Sequence, residues 1–273
     1  MKAVTVNTLV ITGFGTNSHM ETAHTARLAG SEEVDVVHFS DIVNANVRLS
    51  HYHILIFPGG FLDGDDLGAG QAASMRWRHM RTVTGMPLLD ELRRFINDGK
   101  LILGICNGFQ LMVKLGILPA LDGKHFERQV TLGHNASARF EDRWVRLKVN
   151  PRSPCVFTKG LNYLDIPVRH GEGKVIARND AILQRLAEEH LIALQYCDPV
   201  SNEPTQDYPA NPNGSPLAIA GLTDPTGHCL GLMPHPEAFH HATNHPDWTR
   251  LHMSTPGTML FVNAVHHVRE HLL

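Results

Sequence analysis

Short apolar runs alternate with helical patterns through the first half of the chain, and this alternation constrains the fold more than any other feature. Five runs rich in β-branched residues are predicted as strands, at residues 4–12, 34–39, 54–57, 101–105 and 218–222. Helical periodicity at residues 20–29 and 88–97 separates the early strands. The runs ILIF and LILGI lack polar alternation, which is typical of strands buried on both faces. The sequence therefore predicts an α/β fold, with a central, mostly parallel sheet and helices on both faces.

The second half adds shorter strands and a closing helix. Residues 144–149 and 166–170 are predicted as antiparallel additions to the sheet, and residues 257–272 as an amphipathic helix. The Pro- and Asn-rich residues 199–216 cannot form regular structure, so this segment is either an interdomain linker or an ordered excursion within one domain. Strand patterns lie close on both sides and favour the excursion. We therefore expect a single domain over residues 1–273.

Composition argues against several functional classes. The chain has 273 residues, of which 42% are hydrophobic, enough for a well-filled core. A net charge of −3 without a basic stripe argues against a nucleic-acid partner. The apolar runs are shorter than the ~18 residues that span a bilayer, and residues 1–12 lack a secretory cleavage site. Scattered cysteines without a CxxC pair favour a reduced, cytoplasmic protein; they are Cys106, Cys155, Cys197 and Cys229.

Nineteen histidines raise the question of a metal site. Several are close neighbours in sequence, yet none belongs to an HExxH motif or to a Cys/His cluster with ligand spacing. Adjacent histidines such as His266 and His267 also point apart on a helix. We therefore expect solvated histidines and no metal.

The stretch LILGICNGFQLM places Cys106 in a turn between a buried strand and a helix, with Gly104 and Gly108 on either side. This pattern is typical of a nucleophile elbow, in which small flanking residues let the strand and helix approach closely. The N-terminus of the helix favours the thiolate form of the cysteine. The amide of Asn107 is then placed to donate to a developing oxyanion. The alternative is a buried structural cysteine, since free cysteine often behaves as a small hydrophobe.

A cysteine nucleophile needs a general base, and a candidate histidine follows directly after the apolar run CLGLM at residues 229–233. His235 lies between Pro234 and Pro236, which fix the backbone and present the imidazole at a strand end. Glu237 is two residues away and is expected to orient the ring. A third element, PGGF at residues 58–61, follows another predicted strand, and Gly60 or Phe61 is expected to supply a second oxyanion donor.

The cysteine turn and the histidine motif together resemble class I glutamine amidotransferases, which have a flavodoxin-like fold. The chain as a whole is similar to the glutaminase subunits of phosphoribosylformylglycinamidine synthase, an enzyme of purine biosynthesis. NPNGS and HGEGK are the stretches most typical of that family. The resemblance runs through GTN at 15–17, PGGF at 58–61, GICNGFQLM at 104–112, NASARF at 135–140, RWV at 143–145, HGEGK at 170–174, YP at 208–209, NPNGS at 211–215, IAG at 219–221 and MPHPE at 233–237.

The resemblance implies a Cys-His-Glu triad. Cys106 would attack the side-chain amide of glutamine to form a γ-glutamyl thioester, His235 would transfer the proton to the leaving ammonia, and Glu237 would orient His235. Gln110 would help to hold glutamine. Three weaker candidates for the pocket that holds the amino-acid end are Asn135, Arg139 and Phe140, of which Arg139 is alternatively a plain surface charge.

The resemblance also implies partners. Ammonia would pass internally to an ATP-dependent synthetase subunit, and a small third subunit would complete the assembly. ATP and magnesium would belong to the synthetase, because this chain has no phosphate-binding glycine loop ending in Lys-Ser or Lys-Thr, so no cofactor is expected here. Other enzymes with this triad serve a different acceptor or hydrolyse γ-glutamyl compounds, and a scaffold without turnover is a third alternative. The NPNGS and HGEGK stretches and the intact triad argue against these.

The sequence departs from the family pattern at two places. Gly68 stands where the family usually has arginine, with an unusual segment at residues 75–85 after it, and Ala238 stands where arginine is common. Neither change touches the nucleophile or its base. We expect both to affect how the chain docks on its synthetase.

Overall fold

A computed structural model describes residues 5–250 and 257–273 of the chain. Its main sheet has nine strands in the order β2-β1-β3-β4-β11-β10-β9-β6-β7, and β5 pairs with β8 in a separate two-stranded antiparallel sheet. The strands are β1 Asn7–Thr12, β2 Glu33–His38, β3 Ile54–Phe57, β4 Leu101–Ile105, β5 Val130–His134, β6 Glu141–Val149, β7 Tyr163–His170, β8 Glu172–Ala177, β9 Ile192–Cys197, β10 Ile219–Thr223 and β11 Cys229–Leu232.

The main sheet is parallel in one half and antiparallel in the other. The five strands from β2 to β11 in sheet order pair in parallel, as predicted for the first four apolar runs. The fifth run, predicted at residues 218–222, corresponds to β10, which is antiparallel to both of its neighbours. From β11 onward to β7, every pair is antiparallel. The sheet thus combines a parallel half with the antiparallel additions expected for the second half of the chain.

Seven α-helices accompany the strands in the described ranges: α1 His19–Leu28, α2 Phe39–Val43, α3 Gln71–His79, α4 Leu88–Asn97, α5 Asn107–Leu115, α6 Asp180–Glu188 and α7 Thr258–His271. Alternate residues of β3 show that helices cover both faces of the sheet. Ile54 and Ile56 line one small cavity with residues of α1 and α7. On the opposite face the ring of Phe57 lies 5.6 Å from that of Trp77 in α3.

Most predicted boundaries agree with the structure to within one to three residues. Residue 4 of the first predicted strand lies outside the described residues. The predicted helix at 257–272 corresponds to α7, and the predicted helix at 88–97 corresponds to α4. Residues 199–216 form an irregular segment between β9 and β10, in which Asn211, Asn213 and Ser215 are buried. Of the helices in the described ranges, none has the length and apolar character needed to cross a membrane.

Candidate active site

Cys106 occupies a strained backbone turn between β4 and α5. Its φ of 52° and ψ of −105° lie in a region that residues with a Cβ rarely adopt. The backbone amide of Cys106 donates to the carbonyl of Leu232 at 2.8 Å, which ties the turn to the end of β11. The thiol donates to the carbonyl of Arg169 at 3.5 Å. The turn therefore has the geometry of a nucleophile elbow.

The glycines on either side of Cys106 are required by close approaches of backbone. A Cβ on Gly108 would lie 1.9 Å from the carbonyl oxygen of Phe57, at the end of β3. A Cβ on Gly104 would lie 2.3 Å from the sulfur of Met112 and 2.9 Å from the carbonyl carbon of Gly108. Strand β4 and helix α5 thus meet at distances that leave no room for side chains, as the sequence pattern predicts.

His235 and Glu237 form a buried, hydrogen-bonded pair directly after β11. His235 Nδ1 and Glu237 Oε1 are 2.6 Å apart, and the side chains are about 5% and 1% exposed. The backbone amide of His235 donates to the carbonyl of Pro167 in β7 at 2.7 Å. The imidazole is thereby held from two directions, by the carboxylate and by the neighbouring strand.

The imidazole of His235 lies next to the thiol of Cys106. A Cβ built on Gly59 would lie 2.7 Å from His235 Cε1 and 3.5 Å from Cys106 Cβ, so both side chains border the same small space. Burial by itself lowers the pKa of His235, but the charges of Glu237 and of Cys106 and the hydrogen bond between the ring and Glu237 raise that pKa to about 10. This effect requires the thiol and carboxylate to be close to the ring. The structure therefore brings all three predicted triad residues together.

Cys106 and His235 open into a cleft of about 580 Å³ at the carboxyl ends of the parallel strands. Four other predicted site residues line the same cleft: Gly60, Phe61, Gln110 and Phe140. This is where ligands bind in open α/β sheets.

The two predicted donors in the PGGF turn differ in availability. The amide of Phe61 donates to the carbonyl of Gly15 at 2.8 Å, so the expectation that this amide serves an oxyanion is wrong. Thr16 and Gly60 form the non-hydrogen-bonded pair of an isolated antiparallel bridge. Within the described residues, the amide of Gly60 has no backbone acceptor. Gly60 is therefore the donor that this turn offers, and its φ of 143° is one that glycine tolerates.

Asn107 and Gln110 form a fixed pair on the first turn of α5. The Asn107 side chain accepts from the amide of Leu62 at 3.0 Å and donates to Gln110 Oε1 at 3.0 Å. Gln110 Nε2 in turn donates to the carbonyl of Glu172 at 2.6 Å. This chain of hydrogen bonds joins the loop after β3, helix α5 and the start of β8, and Gln110 lies in the lining with both of its polar atoms already engaged.

Asn135 and Arg139 are not among the residues that line the cleft, so the structure gives no support to their predicted contact with substrate. Asn135 is buried, and its Nδ2 donates to the carbonyls of Arg139 and His170 at 2.9 and 2.8 Å. Its amide shapes the loop between β5 and β6. Phe140, the third candidate, lines the cleft and is 57% exposed at the rim.

Sequence reasoning missed the acidic and histidine residues of the lining. Glu21, Asp65, Glu172, His134 and His170 all border the cleft. Burial and the neighbouring carboxylate of Glu172 raise the pKa of Asp65. Isolated acidic residues in loops are normally solvated, and only the HGEGK stretch drew attention to His170 and Glu172.

The departure at Gly68 has a local counterpart in the structure. Gly68 adopts a φ of +93°, which a residue with a side chain would adopt only with strain. The ammonium of Lys114 lies 3.3 Å from the position that a Cβ on Gly68 would take. A positive charge from α5 therefore stands beside the position where the resemblance led us to expect arginine.

One group of potential metal ligands occurs in the described residues, at the other end of β11 from His235. Ligand atoms of His125, Asp224 and Cys229 lie within 4.8 Å of one another. The carboxylate of Asp224 already accepts from the amide of Cys229 at 2.9 Å and from the hydroxyl of Thr226 at 2.5 Å. These contacts account for the carboxylate without an ion.

Comparison with known proteins identifies the class. The profile of the family described as "CobB/CobQ-like glutamine amidotransferase domain" matches residues 5–268. The chain therefore belongs to the glutamine amidotransferases.

Individual relatives narrow this class to one family. The chain is 41% identical over 248 residues to the phosphoribosylformylglycinamidine synthase subunit PurQ of Methanococcus maripaludis, covering 91% of this chain and 88% of the relative. It is 41% identical over 269 residues to PurQ of Dehalococcoides mccartyi, covering 97% and 98%. A chain of the PurLQS structure from Thermotoga maritima superposes with a TM-score of 0.69 at 25% identity, covering 97% and 100%. The chain belongs to the PurQ family, the glutaminase subunits of phosphoribosylformylglycinamidine synthase.

Proposed function

We propose that this chain hydrolyses glutamine with Cys106 as nucleophile, His235 as acid and base, and Glu237 as the group that orients His235. The observation that carries the proposal is the thiol on a strained turn beside a buried imidazole, which is itself bonded to a buried carboxylate at 2.6 Å. Such a set is the requirement for nucleophilic catalysis by cysteine.

The reaction proceeds in two halves. In the first, the thiolate of Cys106, whose proton His235 holds at Nε2, bonds to the amide carbon. The oxygen of the resulting tetrahedral intermediate accepts hydrogen bonds from the amides of Asn107 and Gly60, each of which is worth about 3 kcal/mol. The C–N bond then breaks, His235 returns the proton to the leaving nitrogen, and ammonia departs. In the second half, water attacks the thioester with His235 as base, and glutamate and the thiol are released.

The lining of the cleft suits an amino-acid substrate. The carboxylates of Glu172 and Asp65 are complementary to the α-ammonium group of glutamine. Although the ammonium of Lys114 lowers it, the pKa of Asp65 is raised overall by burial and by the charge of Glu172, so a further cation is favoured at this pair. We therefore assign the ammonium end of glutamine to the acidic part of the cleft.

The ammonia passes to a synthetase subunit. Ammonia that escapes into water becomes ammonium, which is not a nucleophile, so transfer within an assembly is required. Likeness to a chain of the PurLQS structure over 97% of this chain supports such an assembly. We place ATP and magnesium on the synthetase, add a small third subunit, and assign the complex to the cytoplasm.

The experiment measures ammonia release from glutamine, by the chain alone and in complex with its synthetase, for wild type and Cys106→Ala. The substitution should abolish glutaminase activity and leave the complex assembled. Equal activity of the two proteins would overturn the nucleophile assignment. Turnover that rises on addition of the synthetase would support coupling to assembly.

A further inference from the structure

His170 lies beside the catalytic pair without a role in the mechanism above. It is the last residue of β7, the strand whose Arg169 carbonyl contacts the thiol of Cys106 and whose Pro167 carbonyl holds the amide of His235. The side chain of His170 is 2% exposed and borders the cleft.

The hydrogen bonds of Asn135 determine the tautomer of His170. Asn135 Nδ2 donates to two backbone carbonyls, so its Oδ1 is an acceptor. Oδ1 lies 3.0 Å from His170 Nδ1, which must therefore carry the hydrogen. In a neutral imidazole the other nitrogen, Nε2, then has a free lone pair.

The Nε2 atom of His170 is buried, and no group in the described part of the chain hydrogen-bonds to it. A buried acceptor without a partner costs about 1–3 kcal/mol, so native structures rarely contain one without a reason. Gly173 leaves room for the ring, because a Cβ there would lie 2.6 Å from His170 Cε1. The ring is thus fixed in place, and because His170 borders the cleft, a group bound there can supply the missing donor for Nε2.

We propose that Nε2 of His170 accepts a hydrogen bond from the carboxamide nitrogen of bound glutamine and retains it as that nitrogen leaves as ammonia. This inference rests on the proposed glutaminase function. His170 and His235 line the same cleft as Cys106, and β7, which ends at His170, contacts both catalytic residues through the carbonyls of Arg169 and Pro167. Because His235 protonates the leaving nitrogen, that nitrogen must lie close to both.

The two ends of glutamine differ in charge and therefore require different partners in the cleft. The carboxylates of Asp65 and Glu172 match the α-ammonium group, whereas an uncharged acceptor matches the uncharged amide. Burial and, to a smaller extent, the charge of the neighbouring His235 together lower the pKa of His170 to about 3. A ring that stays unprotonated at neutral pH cannot convert ammonia to ammonium, so the product remains a nucleophile.

Two variants distinguish the roles of the two ring nitrogens of His170. His170→Asn retains an N–H at the Nδ1 position for Asn135 and removes the acceptor at Nε2. His170→Gln places an amide oxygen near the Nε2 position. Both are assayed in the complex with the synthetase, on glutamine and on glutamate γ-methyl ester, whose leaving oxygen carries no hydrogen. The exposed His51→Asn, at the opposite end of β3 from the cleft, is the matched control.

His170→Asn should lower kcat/KM for glutamine about 3- to 10-fold, the value of one neutral hydrogen bond, and leave kcat/KM for the ester within twofold. His170→Gln should lose less on glutamine, and His51→Asn should lose nothing on either substrate. The ratio of the two substrates does not depend on the fraction of protein that is correctly folded, so a partly unfolded variant still gives an answer.

Equal losses on amide and ester, or no loss on either, would overturn the assignment. A rise in KM of the same size for both substrates would instead place His170 at the α-ammonium end and would also overturn it. Failure of the glutaminase function itself has a different signature, because glutamine hydrolysis would then persist in Cys106→Ala.

Discussion

Gly108→Ala tests whether the approach of α5 to β3 sets the position of the nucleophile. The new Cβ would lie 1.9 Å from the carbonyl oxygen of Phe57 and 2.6 Å from its carbonyl carbon. Both of these atoms belong to backbone in a buried strand and cannot rotate away. Since carbon–oxygen contacts in proteins are about 3.3 Å, the start of α5 must move from β3 by about 1 Å or more.

Two effects on stability oppose each other. Alanine is the better helix former and favours the variant by about 0.5–1 kcal/mol. Overpacking of a dense region costs about 1–3 kcal/mol. The clash wins, and a net loss of about 1–2 kcal/mol lowers Tm by about 2–4 °C per kcal/mol in a chain of this size. The effect on activity is larger, because a displacement of about 1 Å in a reacting group costs about 100-fold in rate.

The assay compares glutaminase kcat in the complex with Tm of the chain, and Gly160→Ala is the control. Gly160 has a φ of +76° and no heavy atom within 4 Å of a built Cβ. Alanine there is strained by about 1–2 kcal/mol without displacing anything. The control should therefore lose similar stability and retain wild-type kcat. If Gly108→Ala has full activity and an unchanged Tm, the close approach does not position Cys106.

Two further substitutions test the buried carboxylates. Glu237→Gln should lower kcat about 100-fold or more, measured at saturating glutamine, because the imidazolium of His235 loses its counter-charge. Since the pKa of His235 is raised to about 10, the stabilisation by its charged form is complete below about pH 6.5 and is lost as pH rises through 10. Glu237→Gln should therefore lower Tm more at pH 6 than at pH 10. An equal loss of Tm at the two pH values would contradict this. Asp224→Ala leaves the amide of Cys229 and the hydroxyl of Thr226 without a hydrogen-bond acceptor. It should lower the free energy of unfolding by about 3 kcal/mol in denaturant titration. Its kcat should be unchanged, because Asp224 lies at the other end of the sheet.

The sequence was sufficient to locate the strands of the parallel half and the triad. Buried parallel strands carry continuous apolar runs, so β3 and β4 were predicted with their observed bounds. The glycines around Cys106 and the prolines around His235 indicate the backbone conformation of the turns to which they belong. These features are determined by neighbours in sequence, which is why they are visible there.

The pocket was less predictable, because contacts between residues distant in sequence determine which of its polar atoms are free to bind a substrate. The amide of Phe61 is engaged by Gly15, 46 residues earlier, and no pattern within PGGF records this. Asn135 belongs to a stretch typical of the family, yet its amide faces backbone carbonyls and not the cleft. A family motif therefore marks a region of the site, whereas the direction of each polar atom depends on the assembled fold.

The contact between β7 and Cys106 shows how the two halves of the sheet make one site. Five strand spacings separate β4 from β7 in the sheet order, about 24 Å in a flat sheet with 4.8 Å between strands. The Arg169 carbonyl of β7 nevertheless lies 3.5 Å from the sulfur of Cys106. The antiparallel half must therefore curl over the ends of the parallel strands, and register shifts between β9 and β10 supply local bends. The parallel half thus presents the nucleophile, and the curled half brings His170 to it.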